Sequence, residues 1–560
     1  MTHKTVVSLL LLLASTMIYA QNPKWFKKAQ KAQISIITYD EGGNILSSGY
    51  GFYINESGTA IADYSLFENA HAAKVVNADG KEYDVETIEG ASSLYDVVRF
   101  QVNTNKKSPF LVTSQSTTKE KDNIYIMPYP TKDKKVCLYD TIKQVQTFNE
   151  KYAYYTIDTE LSNQYLNSPI LTPEGEIIGL IQRNGGKDPV SYAIDVNYVT
   201  DLTINALSSR NNDLNNIHIR KTLPKEFGEA STFLFMIYGQ CDSTDYIAYL
   251  NDFINTYPDS SEVYIRRFEF YLRHGNYEGA ESDIQKALSI NENEAATHYT
   301  FGRLLYELNL SDEYTQYKDW DLNKALEEVQ KAYAIQPLPL YLQQEAKTLY
   351  ALKSYEQAHD KFLSLTQTNL RSAEVYLNAA ACLKKYSSDT LALLTLQDSA
   401  IACLEKPYKY RDAQAFIQRA NTLIQLNRHR QAVADLYEYE KIAQEDQPAI
   451  FYYRRYLSEL ECRMYQQALD DIDKCVRIEP SQPLYHLQRS TLLYKVGETA
   501  EAIKSAQKTV ELAPDYAEAY RILAIYQLEN KQREVGLKNL SKAAELGDAI
   551  AKEILKEEQE

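Results

Sequence analysis

A serine most commonly attacks a carbonyl where three groups meet: the hydroxyl, a base that accepts its proton near neutral pH, and a carboxylate that orients the base. Between Gln21 and Leu202 the chain offers hydroxyls at Ser162 and Ser168, a carboxylate at Asp96 and one imidazole, His71. Asp96 opens the apolar run Asp96-Val97-Val98-Arg99-Phe100, where its plainest reading is an aspartate at the start of a strand. His71 follows Glu68-Asn69-Ala70 and reads as a surface residue just after a short helix. Ser65, earlier in that stretch, carries a hydroxyl that cannot take up and return a proton near neutrality as an imidazole can.

Other chemistries lack their residues. No spacing of Cys, His, Asp or Glu suggests a metal site, and no glycine-rich loop runs into Lys-Ser/Thr, so neither a metal nor a cofactor is expected. The net charge of −16 argues against nucleic acid, whose phosphates would be repelled. The cysteines, at 137, 241, 382, 403, 462 and 475, leave two readings open: one or two oxidised pairs, for example Cys462 with Cys475, or small buried apolar side chains.

The elements that must position these groups differ along the chain. Lys4, the apolar run Val6 to Leu13 and the small residue Ala20 read as a secretory signal peptide over residues 1–20, with Ile18 larger than usual at the −3 position. The segment is too short to remain as a spanning helix, so no membrane span is expected after cleavage, and the protein is expected to be exported to the periplasm or beyond. Trp25 to Gln33 reads as a short amphipathic helix. Short apolar runs follow, such as Ile34-Ser35-Ile36-Ile37 and Ile177-Ile178-Gly179-Leu180-Ile181, broken by turns such as Glu41-Gly42-Gly43-Asn44. That spacing predicts an all-β sandwich or barrel over residues 21–205. Residues 206–226, with the polar run Ser208 to Asn216, read as a linker.

From 227 to 560 the pattern is helical and repeats. Ser261 to Glu294 carries aromatics at Tyr264 and Tyr271, a turn at Gly275-Asn276-Tyr277 and small residues at Ala280 and Ala287. Small residues recur in the role of Ala280 at Ala325, Ala358, Ala392, Ala432, Ala468, Ala502 and Gly536. A period of about 34 with small residues where two helices touch is the signature of a tetratricopeptide array, here about eight repeats. An insertion falls near Asn309–Tyr317, a looser unit near Ser372–Lys406, and a capping helix at the end. The 46 tyrosines are mostly packing residues with a wet hydroxyl, so their abundance does not mark a ligand.

The N-terminal half resembles the trypsin/chymotrypsin-like peptidases, above all the bacterial Deg-type branch. The matching segments, in order, are Gly49-Tyr50-Gly51-Phe52-Tyr53-Ile54, Asp63-Tyr64-Ser65-Leu66-Phe67-Glu68-Asn69-Ala70, Tyr95-Asp96-Val97-Val98-Arg99-Phe100, Asn167-Ser168-Pro169-Ile170 with the hairpin to Leu180, and Ser191-Tyr192-Ala193-Ile194. The whole arrangement is similar to exported Bacteroidetes proteins that join such a domain to tetratricopeptide repeats. The resemblance implies a chymotrypsin-like double barrel followed by an all-α tetratricopeptide-repeat solenoid. It puts Ser65 where the family keeps its histidine and Asp96 where it keeps the orienting aspartate. Alignment on Ser168-Pro169 puts Leu166 in the nucleophile's place, with Gln164 and Asn167 where glycines let backbone N–H groups face the oxyanion.

Two functions follow as expectations. In the first, a noncatalytic pseudoprotease is joined to a repeat array that binds a protein or peptide along a groove. By repeat register Arg273, Lys385, Tyr453, Tyr494, Lys495 and Arg521 face that groove. In the second, a divergent serine endopeptidase uses Ser168 as an alternative nucleophile, and the repeats deliver its substrate.

Overall fold

The computed structural model describes residues 23–116, 118–129, 137–183, 189–444 and 446–558, so the expected leader at 1–20 lies outside the described residues. The chain divides into two compact units, the first ending at Lys286 and the second beginning at Ala287.

The choice between sandwich and barrel resolves to two closed antiparallel barrels. Strands β1 (Gln33–Tyr39), β2 (Ile45–Tyr53), β3 (Thr59–Ala62), β4 (Ala72–Val76), β5 (Glu82–Ser92) and β6 (Val97–Val102) close in the order β1-β2-β3-β6-β5-β4. Strands β7 (Asn123–Ile126), β8 (Leu138–Phe148), β9 (Tyr152–Ile157), β10 (Pro169–Leu171), β11 (Ile177–Gln182) and β12 (Ser191–Asp195) close in the order β10-β11-β12-β9-β8-β7. Closure leaves neither sheet with an open edge.

Alternation sets the inner faces: Ile34 and Ile36 of β1 are buried, while Ser35 and Ile37 between and beyond them are only partly so. At Gly51 a Cβ would stand 2.5 Å from the Ile61 carbonyl oxygen, so glycine is what lets β2 lie this close to β3. One core joins the barrels, with Phe52, Ile61 and Val97 from the first packed with Leu171, Leu180 and Ile194 from the second. The helix Phe26–Gln30 seals that core with Phe26 and Ala29.

The segment 206–226, expected as a linker, is ordered against the first barrel. Asn69 N–H donates to the Asn216 carbonyl at 2.6 Å and His218 N–H to that of Ala70 at 2.8 Å. Ile88 of β5 donates to Arg220 and accepts from Thr222, at 2.8 and 2.9 Å. Its polar residues are spent on backbone groups: Asn211 caps the short helix Asn212–Asn215, and the Asp213 carboxylate accepts from Ser93 N–H. Its apolar residues Leu214, Ile217 and Ile219 are buried.

Helices fill the rest. A leading pair, Phe227–Ile237 and Ser243–Thr256, precedes the pair Ser261–Arg273 and Tyr277–Ile290. Later first helices are Ala295–Asn309, Pro339–Ala351, Ala373–Tyr386, Ala413–Gln425, Ala449–Glu461, Pro483–Lys495 and Ala517–Glu529. Each is followed by its second helix, and Ala549–Glu557 comes last. The expected insertion is the stretch between Asn309 and Leu322.

Ala280, Ala325, Ala358, Ala432, Ala468 and Ala502 are fully buried, as a close helix contact requires. Ala392 departs from that expectation: it is partly exposed, and Leu394 of its helix is the buried contact. The suggested Cys462–Cys475 disulfide is also corrected. Both are free thiols, and buried Cys475 donates to the Ala449 carbonyl at 3.3 Å.

Candidate functional site

The positions that the resemblance assigns to histidine and aspartate do meet. Ser65 lies on the one-turn helix Tyr64–Phe67 after β3, and Asp96 at the turn into β6. Ser65 donates its backbone N–H to Asp96 Oδ1 at 2.7 Å and its hydroxyl to Oδ2 at 3.2 Å. The carboxylate therefore holds a serine hydroxyl where the resemblance puts an imidazole. Asp96 takes φ 50°, in the left-handed region that aspartate tolerates better than most residues. His71 is elsewhere engaged: its N–H donates to the Tyr39 carbonyl, and its ring stacks on His218 at 4.3 Å.

The loop before β10 is closed on itself. Asn163–Tyr165 form a 3-10 turn, and the N–H of half-buried Leu166 donates to Asn163 at 3.2 Å. Asn167 N–H donates to Ile181 at 2.8 Å and Ser168 N–H to Tyr165 at 3.0 Å. These three successive donors are all spent on the protein's own carbonyls. Asn167 keeps a left-handed backbone at φ 54°, the conformation a glycine would adopt there. Its buried side chain donates to the Asp96 carbonyl at 3.2 Å, which ties the loop to the first barrel. Ser168 is wholly buried, and its Oγ has no hydrogen-bond partner among the described residues.

One further carboxyl belongs to this cluster. Burial pushes Asp63 up to about 7 and the Asp96 carboxylate pushes the same way, opposed by a hydrogen bond from Asn167 and by Arg183. Asp63 therefore exchanges a proton near neutrality.

The six array positions divide. Tyr453 is packed against Tyr456 and Tyr485, Tyr494 stacks on Tyr526 at 4.0 Å, and Arg521 binds Asp548 Oδ2 at 2.9 Å. These three serve the packing of the array itself. Arg273 is exposed and paired with Glu269, Lys385 is exposed, and Lys495 is exposed with its ammonium 4.9 Å over the Tyr465 ring.

A set of internal ion pairs was not anticipated from the sequence. Arg267, Arg419 and Arg455, each at the seventh residue of a first helix, form bidentate pairs with Asp283, Asp435 and Asp471, each at the seventh residue of the second. The signal was available as an arginine sixteen residues before an aspartate, recurring at the repeat's own register. Arg455 is fully buried, with Glu440 on its third nitrogen at 2.6 Å and the Tyr437 ring 3.9 Å away. Beside it Glu459, also fully buried, accepts from the Tyr437 hydroxyl at 2.8 Å, and its Oε2 has no hydrogen-bond partner among the described residues. Burial pushes Glu459 up to about 7 and Asp471 adds to the shift, while Tyr437, Arg455 and Lys474 oppose it.

Comparison with known proteins agrees with both halves. Residues 49–180 match the family model described as a trypsin-like peptidase domain. The chain is 25% identical to a TPR repeat-containing protein of Methanocaldococcus jannaschii over 264 residues, 44% of each chain. It is 26% identical to an anti-sigma-I factor of Acetivibrio thermocellus over 208 residues, 37% of this chain and 28% of that one. The chain thus spans less than half the length of these curated relatives. A double barrel that matches a trypsin-like peptidase model is joined here to an all-helical array, and the chain is similar to a TPR repeat-containing protein.

Proposed function

We propose that this is an exported protein whose double barrel is noncatalytic and whose repeats form a scaffold that binds a protein or peptide in the periplasm or outside the cell. The observation that carries the first part is the closed loop at Leu166. Its side chain has no nucleophilic atom, and its N–H and those of Asn167 and Ser168 are already bonded inside the protein. Oxyanion stabilisation needs such donors free and aimed at the reacting carbonyl. Ser168, the alternative nucleophile, would have to leave a fully buried site to reach a substrate. The binding role rests on the repeats, whose stacked first helices commonly offer an extended surface. Of the positions chosen by repeat register, Arg273, Lys385 and Lys495 are exposed cations. Export rests on the leader-like first twenty residues.

A fluorophosphonate probe, which labels activated serines covalently, tests the noncatalytic reading on the full-length mature protein and its Ser168→Ala variant. No labelling of either is expected. Labelling of the parent that is lost with Ser168 would establish the endopeptidase reading instead. For the scaffold, alanine at Arg273, Lys385 and Lys495 is expected to abolish partner capture, and changes at Ser65 or Leu166 to leave it intact.

A further inference from the structure

In the repeat units the seventh residue of the second helix is matched in charge to the first helix. Asp283, Asp435 and Asp471 face arginines, Glu328 bonds the His298 Nδ1 at 2.6 Å, and Lys361 reverses the sign against Glu345 at 3.0 Å. Where the first helix carries Ala379 or Leu523 at the arginine's register, the second carries uncharged Leu396 or Asn539. The unit of Pro483–Lys495 and Thr499–Leu512 breaks the rule. Its first helix has both kinds of cationic partner, Arg489 at the register of the three arginines and His486 at that of His298, yet the acid's position is Ser505.

The missing carboxylate leaves space and charge. A cleft of about 390 Å³ lies there, lined by Arg477, His486, Arg489, Lys504, Ser505 and Lys508, with Asp473 as the acid at its wall. Arg489 turns its Nε to Asp473 of the preceding helix at 2.6 Å and reaches Ser505 Oγ with Nη1 at 3.3 Å. His486 is buried and its Nε2–H donates to the Pro480 carbonyl at 2.9 Å, as His298 does to Glu292, but Glu328 has no counterpart for its Nδ1. Arg477 has no acidic partner among the described residues, and Lys504 and Lys508 hold only exposed pairs three residues away on their own helix. Such pairs compete weakly with a ligand.

We propose that this cleft binds a phosphoryl group, seated over Ser505 where sibling units place their own carboxylate. Four cations facing one wall acid suit a dianion better than a single carboxylate, and arginine binds such oxygens through its fork of N–H donors. The group could be inorganic phosphate or a phosphorylated side chain of a protein partner.

The test is calorimetric titration of the full mature chain at low ionic strength. The ligands are inorganic phosphate, a short phosphoserine peptide and the same peptide with glutamate at that residue. The parent is expected to bind phosphate-bearing ligands more tightly than the glutamate peptide. Ser505→Asp supplies the absent carboxylate to Arg489, so it is expected to weaken phosphate binding by roughly tenfold or more, with the melting temperature kept or raised. Arg477→Gln, at an exposed position, is expected to weaken binding without altering the fold. Phosphopeptide binding above that of free phosphate assigns the group to a protein partner, and equal binding assigns it to the free anion. No binding of either by the parent, or undiminished binding in both variants, overturns the proposal.

Discussion

For the noncatalytic reading proposed above, Leu166 and Ser65 carry different weight. A side chain can be restored by substitution, whereas the amides around Leu166 are held by the course of the loop between Asn163 and Ile181. The double variant Ser65→His with Leu166→Ser is therefore expected to show no fluorophosphonate labelling above background, since losing oxyanion donors alone costs roughly a hundredfold or more. Strong labelling of that variant would show that the loop reopens. Glu459 carries a second prediction. Its folded-state pKa, about 7, lies above its ordinary value of 4.5, so the native state holds the proton more tightly than the unfolded chain. Its contribution is most favourable below about pH 4.5, declines as pH rises to about 7 and is constant above. Glu459→Gln is thus expected to raise stability at pH 8 by an amount on the order of 2 kcal/mol and to change little at pH 4, read from urea midpoints of the helical signal. The residues at the positions that the resemblance assigns to the triad were legible in the sequence, because that is a matter of order along the chain. The direction in which three amides point depends on Ile181, far away in sequence, and no local pattern encodes it.

At the scale of elements, the ion pairs inside the repeats put a charge where a core would normally hold a hydrocarbon. Asp471→Ala leaves Arg455 fully buried with its bidentate partner gone, and is expected to cost about 3–5 kcal/mol. Replacing both, Arg455→Met with Asp471→Leu, should recover part of that loss, because neither member of the bidentate pair is left without the other, while Glu440 keeps only Lys474 as its cation. Chemical denaturation of the three proteins decides the matter. The repeats themselves were legible, since small residues at a fixed spacing follow directly from helices that must touch. Ala392 was misplaced because its unit is offset from that spacing, and Leu394 rather than an alanine makes the buried contact. Of the six array residues chosen by register, Tyr453, Tyr494 and Arg521 are held by the next helices, a neighbour effect that register within one repeat cannot contain.

At the scale of the molecule, the clearest departure from the sequence reading is the segment 206–226. Its composition is that of a linker, yet its serines and asparagines cap turns, three of its apolar residues are buried, and backbone hydrogen bonds tie it to the first barrel. A fragment ending at residue 205 is expected to exchange the Ile88 amide faster than one ending at 226, because that N–H loses the Arg220 carbonyl. Hydrogen exchange by mass spectrometry on the two fragments gives the answer, and equal protection would mean that the segment adds nothing to the barrel.

The same docking sets the length of the tether between barrel and helices. Twenty-one free residues could span up to about 70 Å, whereas after the Thr222 bond to Ile88 only residues 223–226 precede the helix Phe227–Ile237, a reach of about 14 Å. Lys221 N–H further donates to the Tyr249 hydroxyl of the leading pair at 2.8 Å, and Arg220 pairs with Asp252 there. A ligand with one epitope for the barrel and another for the leading helices would meet its second site at an effective concentration set by a short leash rather than by diffusion. Two weak contacts could then sum to lasting capture, and only for ligands whose epitopes match that spacing.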